Sequence, residues 1–483
     1  MTNLSGANLN NGAAVGPQGE GRESVSTFPK YPEYKDSGVE WLGAVPTYWE
    51  SWKISHAFGE LGSGTTPPTT EAEWYDNGTV PWVTTGELRE SVIWETKKLL
   101  APTALSAFSA LRLHPAGSLV IAMYGATIGR LGILGVDAAT NQACCLLARP
   151  NKLHIKFTFY WLLVFKQSII DLYASGGGQP NINQEIIANL KIPAPGVLEQ
   201  TQIARFLDHE TARIDALIEE QRRLIELLKE KRQAFISHAV TKGLDPTVPM
   251  KDSGVEWLGE VPAHWVVAGL KRFWSVTDCK HITAEFVDEG IPLASIREVQ
   301  SRYVDLDNAK QTTEVFYRQL IEGGRELVAG DLIFSRNATV GEVAQVANWH
   351  PPFAMGQDVC VLKKQYQWLS SDYLQAVLRS PVVIVQLDNL MIGSTFKRVN
   401  VEDIRGLVVP MPPEKEQKLI ADYLNSETGK FDSLLAECRG TIGLLQERRS
   451  ALISAAVTGK IDVRGWQPPA SIQAPESAVA EAV

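Results

Sequence analysis

The chain has 483 residues, of which 45% are hydrophobic and 21% are charged, and its formal net charge is −9. This composition is typical of a soluble globular protein with several cores, and no apolar run approaches the roughly 18 residues that a membrane-spanning helix needs. The acidic balance argues against a protein that coats nucleic acid nonspecifically, although it leaves room for a local basic surface.

The N-terminal segment, residues 1–28, is rich in Asn, Gly and Ser and has neither a basic start nor an apolar stretch. We therefore expect a disordered tail there and no secretory signal. The five cysteines lack metal-ligand spacing, which predicts reduced thiols and a cytoplasmic protein.

One unit occurs twice in the chain. Residues 35–46 read KDSGVEWLGAVP and residues 251–262 read KDSGVEWLGEVP, and Trp49 and Trp265 follow at the same distance. Asp-Ser-Gly favours a turn, and the Val, Trp and Leu that follow favour the apolar start of a core. Two related units in one polypeptide suit a target that itself has two related halves.

The predicted elements follow in the same order in both units. The divergent middles, residues 53–120 and 269–335, mix short apolar runs with Gly, Pro, Asn and Asp, which favours strands. A helical stretch follows, at residues 157–174 in the first unit and 371–391 in the second. A glycine-rich turn and a strand that ends in Pro-x-Pro complete the part before the last helix.

Each unit ends in a long amphipathic helix, in which apolar residues recur at alternating steps of three and four. About 40 residues at ~1.5 Å each give a rod of roughly 60 Å, which outruns a small domain and needs a partner. We therefore predict that the two helices pair, although each could instead lie on its own domain. The apolar positions predicted to form the helix contact or to dock partners are Leu207, Ile214, Leu217, Leu224, Leu228, Leu424, Phe431, Leu434 and Leu445.

The residues do not assemble into a catalytic or metal site. The glycine-rich turn at residues 176–179 lacks the Lys-Ser/Thr of a phosphate-binding loop, as does its counterpart at residues 393–396. Residues 349–353, WHPPF, come close to the loop that holds the amino group in DNA amino-methyltransferases, but His350 replaces the residue that would accept the hydrogen bond. The sequence predicts no enzyme activity in this chain.

Cationic residues of the divergent middles are the natural candidates for DNA contacts, because Arg reads guanine and Lys positions phosphates. Each of them also fits an ordinary solvated surface charge. Arg130, Arg336 and Asn337 stand beside a repeated Ala-Thr-x-Gly turn that could aim a side chain. The candidate residues are Arg89, Arg112, Arg130, Arg297, Arg302, Arg336, Asn337, Lys397 and Arg398.

Several duplicated motifs resemble the specificity (S) subunit of type I restriction–modification systems. They are KDSGVEWLG-VP-W, a Gly-x-x-Gly turn before a hydrophobic strand, Glu-Gln at the head of the long helix and A-V-T-x-G at its end, together with SGGGQPNIN before IPAP. The resemblance covers about residues 31–462.

This resemblance implies an α+β fold: a tandem duplication of a mixed α/β target recognition domain, each copy followed by a long helix. The two helices would pair as an antiparallel coiled-coil spacer with pseudo-twofold symmetry. Each target recognition domain would read one half of a bipartite site in double-stranded DNA. Methyltransferase (M) subunits would dock on the helices and restriction (R) subunits would join the complex. S-adenosylmethionine, ATP and Mg would belong to those partners, with no cofactor in this chain.

The expected domain order follows from the repeat and the resemblance. The ranges are a disordered tail at 1–28, target recognition domain 1 at 29–196, spacer helix 1 at 197–243, target recognition domain 2 at 244–413, spacer helix 2 at 414–460 and a disordered tail at 461–483. Two alternatives stay open: a duplicated coiled-coil scaffold that binds no DNA, and a reader fused to its own methyltransferase or nuclease activity.

Overall fold

The computed structural model describes residues 28–39, 41–174, 181–391 and 398–469. Both predicted glycine-rich turns and Lys397 lie outside these ranges. The chain divides into two compact units, of which the first contains Met1–Glu219 with Ile442–Val483 and the second contains Glu220–Thr441. Each long helix therefore contributes one part to each unit, which a division in chain order does not anticipate.

In its described residues, the first unit combines short strands with four complete helices and with parts of both long helices. Its strands are β1 (Tyr34–Asp36), β2 (Ala44–Pro46), β3 (Glu50–Lys53), β4 (Phe58–Ser63), β5 (Val80–Val83), β6 (Ser91–Ile93), β7 (Leu99–Leu100), β8 (Leu119–Ala122), β9 (Leu131–Leu134), β10 (Ala139–Thr140), β11 (Cys144–Pro150) and β12 (Lys191–Ala194). Its helices are α1 (Ile54–Ala57), α2 (Pro102–Ala107), α3 (Ile155–Tyr173), α4 (Gln184–Asn189), the start of α5 (Val197–Lys242) and the end of the second long helix, residues 442–457.

The second unit repeats this mixture. Its strands are β13 (Met250–Asp252), β14 (Glu260–Pro262), β15 (Val266–Gly269), β16 (Trp274–Asp278), β17 (Phe286–Val287), β18 (Ile291–Ala294), β19 (Gln311–Thr312), β20 (Leu332–Ser335), β21 (Val343–Gln345), β22 (Ala354–Met355), β23 (Val359–Lys364) and β24 (Val408–Met411). Its helices are the second half of α5 (residues 220–242), α6 (Glu314–Ile321), α7 (Ser371–Leu378), α8 (Pro381–Leu390), α9 (Val401–Gly406) and most of α10 (Glu414–Val457).

Among the described residues, each unit contains two sheets of three or more strands. One of them has the order β4-β11-β8-β9-β6 in the first unit and β16-β23-β20-β21 in the second. The other, β10-β5-β7 in the first unit and β17-β19-β18-β22 in the second, contains one parallel pair that is central to the site, β5 with β10 and β18 with β22. The divergent middles therefore share a strand topology although their sequences do not match. The predicted tandem α+β fold is confirmed.

The repeated block forms a hairpin, β1 with β2 and β13 with β14. Its turn begins with an aspartate that accepts the amide of the glycine two residues on, at 2.7 Å from Gly38 to Asp36 and at 2.9 Å from Gly254 to Asp252. Both glycines have positive φ, +68° and +75°, which explains why glycine occupies this position. Asp-Ser-Gly makes the predicted turn.

The Glu-Gln pair at the head of each long helix ties the helix to its unit. Gln200 is fully buried; its Oε1 accepts the amide of His154 at 2.7 Å. Gln417, also fully buried, accepts the amide of Ser370 at 2.8 Å. Both glutamines thereby satisfy a backbone donor just before a helix, α3 in one unit and α7 in the other, where unpaired amides are costly.

The two long helices run antiparallel within each unit. In the first unit Arg449 binds Asp215 of α5, with Nε 2.8 Å from Oδ1, and Gln202 donates to the carbonyl of Val463. In the second unit Arg232 lies 3.5 Å from Asp432. Pairing of the long helices is therefore present in both units.

The buried side of this helix pair differs from the predicted one at three positions. Leu207, Ile214 and Leu424 are buried, and Leu228, Phe431 and Leu445 are half-buried, as expected for the seam. Leu217, Leu224 and Leu434 are exposed and lie outside the helix contact, so that for them only the predicted docking of partners stays a prediction. Their chain neighbours Ile218, Ile225 and Leu435 are buried in their place.

Two further predictions need correction. The helix predicted at residues 371–391 is two helices, α7 and α8, because Pro381 starts a new helix after Ser380. Residues 461–469 do not belong to a disordered tail, because Ile461 and Val463 are buried in the core of the first unit. No helix in the described part of the chain is long and apolar enough to cross a membrane.

Candidate nucleic-acid interface

The parallel strand pairs place two turns side by side at their carboxyl ends in each unit. The amide of Asn141, after β10, donates to the carbonyl of Val83 at 3.0 Å. The amide of Gly356, after β22, donates to the carbonyl of Ala294 at 2.8 Å. In open α/β sheets, ligands bind outside the carboxyl ends of parallel strands, and this edge is therefore a candidate recognition surface in both units.

The turn that follows the first strand of each pair is closed by a glutamate. Glu87 Oε2 accepts the amide of Thr84 at 2.7 Å, and Glu298 Oε2 accepts the amide of Ser295 at 2.8 Å. In the first unit the other oxygen of Glu87 also accepts the amide of Lys97 at 2.7 Å. This Ser/Thr-x-x-Glu turn is shared by the divergent middles, although their sequences conceal it.

The turn that follows the second strand presents an exposed glutamine in each unit. Gln142 stands directly after Asn141, and Gln357 stands directly after Gly356. The hydroxyl of Thr66 lies 2.6 Å from Gln142 Oε1. The sequence prediction of DNA contacts considered only cations and Asn337, and so it named neither glutamine. The matching pairs Asn141-Gln142 and Gly356-Gln357 were the available signal.

In the first unit the three predicted arginines are exposed but lie at different places. Arg89 lies beside the glutamate-closed turn, where Trp94 and Lys97 line the same groove. Trp94 is 70% exposed, an unusual position for a large aromatic side chain. Arg112 precedes the bridge between His114 and Ala138, at the amino end of β10, whereas Arg130 precedes β9.

In the second unit a cavity of about 290 Å³ opens at the carboxyl ends of β18 and β22. Lys310 Nζ lies 4.3 Å from the ring centroid of Phe286, and the Arg297 side chain is 67% exposed. The apolar part of the lining includes Phe286, Leu293, Leu320 and Met355, and the polar part includes Ser295, Arg297, Lys310 and Gln357. The cavity thus combines apolar side chains with two cations, an amide and the carboxylate of Glu298, whose Oε1 lies 3.8 Å from Arg297 Nε.

Arg302 is engaged elsewhere in the second unit. Its guanidinium binds Asp372 at 2.9 Å and lies 5.2 Å from the ring centroid of Tyr303. Its carbonyl oxygen accepts hydrogen bonds from Gln345 and Gln375.

Arg336 is buried, and the prediction that it contacts DNA is wrong for this fold. Its side chain is 4% exposed and Nη2 lies 2.9 Å from Asp278 Oδ1, without the alignment of a hydrogen bond. Its amide donates to the carbonyl of Asp358 at 2.9 Å, and its carbonyl accepts the amide of Val399 at 3.0 Å. The backbone of Arg336 therefore supports the turn that contains Gln357.

The neighbouring candidates lie around the same turn. Asn337 forms a backbone bridge with Arg398, and its Oδ1 accepts the amide of Ala338. Ala338 has φ +55°, a left-handed conformation that is uncommon for alanine. The Arg398 guanidinium is half exposed and lies 3.7 Å from Asp358 Oδ1. Asn337 and Arg398 are thus brought together, while Lys397 lies outside the described residues.

One group in the described part of the chain has the spacing of metal ligands. The ligand atoms of Asp278, Cys279 and His281 lie within 4.8 Å of one another. Burial raises the pKa of Cys279, with a further contribution from Asp278, and so favours the neutral thiol. The guanidinium of Arg336 already faces Asp278. These charges make the group a poor cation site.

Residues 46–227 and 321–433 match the family described as the type I restriction modification DNA specificity domain. The MjaVIII type I restriction enzyme specificity subunit of Methanocaldococcus jannaschii is 24% identical over 87% of this chain and 94% of its own length. The EcoKI type I restriction enzyme specificity subunit of Escherichia coli is 24% identical over 44% of this chain and 47% of its own length.

Solved structures have the same fold. A chain from a study of complex assembly and conformational transition in the type I R-M system aligns with TM-score 0.61 and 17% identity, over 86% of this chain and 99% of that one. The HsdS subunit from Thermoanaerobacter tengcongensis aligns with TM-score 0.52 and 15% identity, over 86% of this chain and 98% of that one. The family match covers more than half of the residues, and this chain therefore belongs to the family of type I restriction–modification DNA specificity subunits.

Proposed function

We propose that each unit reads one half of a bipartite site in double-stranded DNA, in a complex that methylates and restricts DNA. The observation that carries the proposal is the recurrence of one recognition edge with different side chains. In both units a glutamate-closed turn and a glutamine turn meet at the carboxyl ends of a parallel strand pair. Around them the first unit presents Arg89 and Trp94, whereas the second presents Arg297 and Lys310.

Two units that share a backbone arrangement but present different exposed side chains are suited to binding two different DNA sequences. Backbone contacts keep the two turns in place, so that substitutions on the exposed edge can change the bases that are read without disturbing the fold. Arg is suited to guanine and Lys to phosphate, which supports DNA as the ligand. Exchange of residues 53–190 for those of a relative is therefore expected to change one half of the recognised sequence and to leave the other half intact.

The paired helices fix the spacing between the two half-sites and dock the methyltransferase subunits in this proposal. Exposed leucines along the helices support a docking role, because they offer apolar surface that a partner protein can bury. Such residues include Leu198, Leu217, Leu224, Leu227, Leu419, Leu434 and Leu444. Restriction subunits join through the same complex.

The chain itself acts as a non-catalytic subunit in this proposal. S-adenosylmethionine, ATP and Mg then belong to the methyltransferase and restriction subunits. The charged groups of the divergent middles are used for recognition, and the buried thiols are held neutral, since burial raises the pKa of Cys144 and Cys145 to about 12.

Co-expression with a cognate methyltransferase subunit tests the proposal, with adenine methylation mapped by single-molecule sequencing. We expect a split motif of two short half-sites that requires both proteins. A stable complex without any motif would favour a coiled-coil scaffold that binds no DNA. Methylation by this chain alone would show that it carries its own activity.

A further inference from the structure

We propose that Gln142 and Gln357 are base-reading residues, each of which recognises an adenine in its own half-site. The proposal rests on the proposed function in DNA reading and assigns the recognition to one turn in each unit. The two residues share a position in the fold: each follows the second strand of the parallel pair and is exposed at the edge where two turns meet.

Three hydrogen bonds hold the Gln142 turn in the first unit. The amide of Asn141 is bound to the carbonyl of Val83, and Asn141 Oδ1 accepts the amide of Ala143 at 3.2 Å. The hydroxyl of Thr66 donates to Gln142 Oε1 at 2.6 Å, and this hydrogen bond restricts the carboxamide. A side chain whose orientation is fixed before binding loses less conformational entropy when it meets a base.

The second unit holds the Gln357 turn by a different set of contacts. Gly356 packs so closely on Ser295 that a Cβ atom there would lie 2.2 Å from Ser295 Oγ. Asp358 has φ +63°, and its carbonyl accepts the amide of buried Arg336. A left-handed aspartate next to the reading residue is a constrained conformation of the kind that recurs at functional sites.

The cavity of the second unit gives the proposal independent support. Gln357 lines it together with Arg297 and Lys310. The carboxylate of Glu298 also lines the cavity, 3.8 Å from Arg297, and partly offsets the positive charge. A mixed set of cations, a carboxylate and an amide suits the donors and acceptors of a base edge beside a phosphate better than it suits an anion alone. Phe286, which is 54% exposed, adds apolar surface of the kind that contacts a thymine methyl group.

The chemistry of glutamine selects the base. A carboxamide donates one hydrogen bond and accepts one in the same plane, which fits N7 and the N6 amino group of adenine in the major groove. Neither Arg89 nor Arg297 offers this combination, because guanidinium groups only donate. We therefore expect an adenine at one fixed position in each half-site.

Methylome sequencing of the complex with its methyltransferase subunit tests this assignment. Gln142→Ala and Gln357→Ala remove the amide without touching the buried core. Gln167→Ala, an exposed glutamine on α3 that bonds Asp171, serves as the control. We expect Gln142→Ala to lower the preference for one adenine in one half-site by about tenfold or more. Gln357→Ala should do the same in the other half-site, and Gln167→Ala should change neither.

The outcomes separate the assignment from the proposed function. A split motif from the natural chain that stays unchanged in both variants would overturn the glutamine assignment alone. Absence of any split motif from the natural chain would overturn the proposed function and the assignment with it. The thermal unfolding midpoint of each variant should equal that of the natural chain. Equal midpoints would show that a changed motif reflects recognition and not misfolding.

Discussion

Buried Arg336 and partly exposed Asp278 form a charge pair, in which the guanidinium depends on the carboxylate for its counter-charge. The guanidinium is nearly inaccessible and the carboxylate is the acid that faces it at 2.9 Å. Asp278→Ala should destabilise the second unit by about 3 kcal/mol or more, because it leaves the guanidinium buried without a counter-charge. The double variant Asp278→Ala with Arg336→Met should recover part of the loss. Urea denaturation measures both, and equal stabilities of the single and double variants would contradict the pairing.

His114 should make the first unit sensitive to acid. Burial lowers the pKa of His114 from 6.5, Glu60 at 3.0 Å opposes this shift, and Arg112 adds to it. The folded chain then binds the proton less readily than the unfolded chain. Neutral His114 therefore makes its full contribution to the stability of the fold at pH values above the ordinary pKa of histidine. It is lost as the pH falls through that value towards the folded pKa.

The loss should not exceed about 1.4 kcal/mol per pH unit for this histidine. Urea denaturation from about pH 7.5 to about 5.5 measures it. In His114→Gln the decline should be shallower, although His154 and His350, whose pKa values burial also lowers, continue to contribute. An equally steep decline in the variant would exclude His114 as a source.

At the scale of the helices, the contact between α5 and α10 buries one residue of each adjacent apolar pair and leaves its neighbour exposed. Ile218 and Ile225 are buried, whereas Leu217 and Leu224 are 40% and 41% exposed. Ile218→Ala should cost about 2–4 kcal/mol of stability, while Leu217→Ala should cost less than about 1 kcal/mol. Leu217→Asp should instead weaken binding of the methyltransferase subunit. Urea denaturation and co-purification measure the two effects, and a large loss of stability in Leu217→Ala would contradict the assigned seam.

The position of this seam illustrates what the sequence can predict about an element. The length of each helix and the need for a partner follow from periodicity. The choice between neighbours does not, because Leu217-Ile218 and Leu224-Ile225 offer two apolar side chains about 100° apart on the helix. Packing against the opposite helix selects the isoleucines, and that information lies in contacts distant along the chain. The break before Pro381, by contrast, was readable from the residue itself.

For the whole molecule, the repeated block revealed the duplication because its turn and core residues tolerate few alternatives. Gly38 and Gly254 need positive φ, and Trp49 and Trp265 are almost completely buried. The candidate recognition surface could not be predicted in the same way. Thr84 and Ser295 are different hydroxyl residues, and the number of residues between them and the glutamine turn differs between the two units. Likewise, a sequence cannot distinguish buried Arg336 from exposed Arg297, because burial depends on the strands that pack around the guanidinium.

Helix length should set the spacing between the half-sites that the complex recognises. The ion pairs Asp215–Arg449 and Arg232–Asp432 share one antiparallel register, so a seven-residue insertion in each helix at matched positions preserves the seam. Insertion between Ile225 and Glu226 of α5 and between Cys438 and Arg439 of α10 adds about 10 Å, close to three base pairs.

Methylome sequencing of the complex should therefore show both half-sites unchanged and the spacer lengthened by about three base pairs. The control is the α5 insertion alone, which shifts Arg232 out of register with Asp432 and should abolish methylation or destabilise the chain. An active double insertion that keeps the original spacer would contradict the role of the helices in spacing. A changed base preference with an unchanged spacer would indicate that the helices act on the readers themselves.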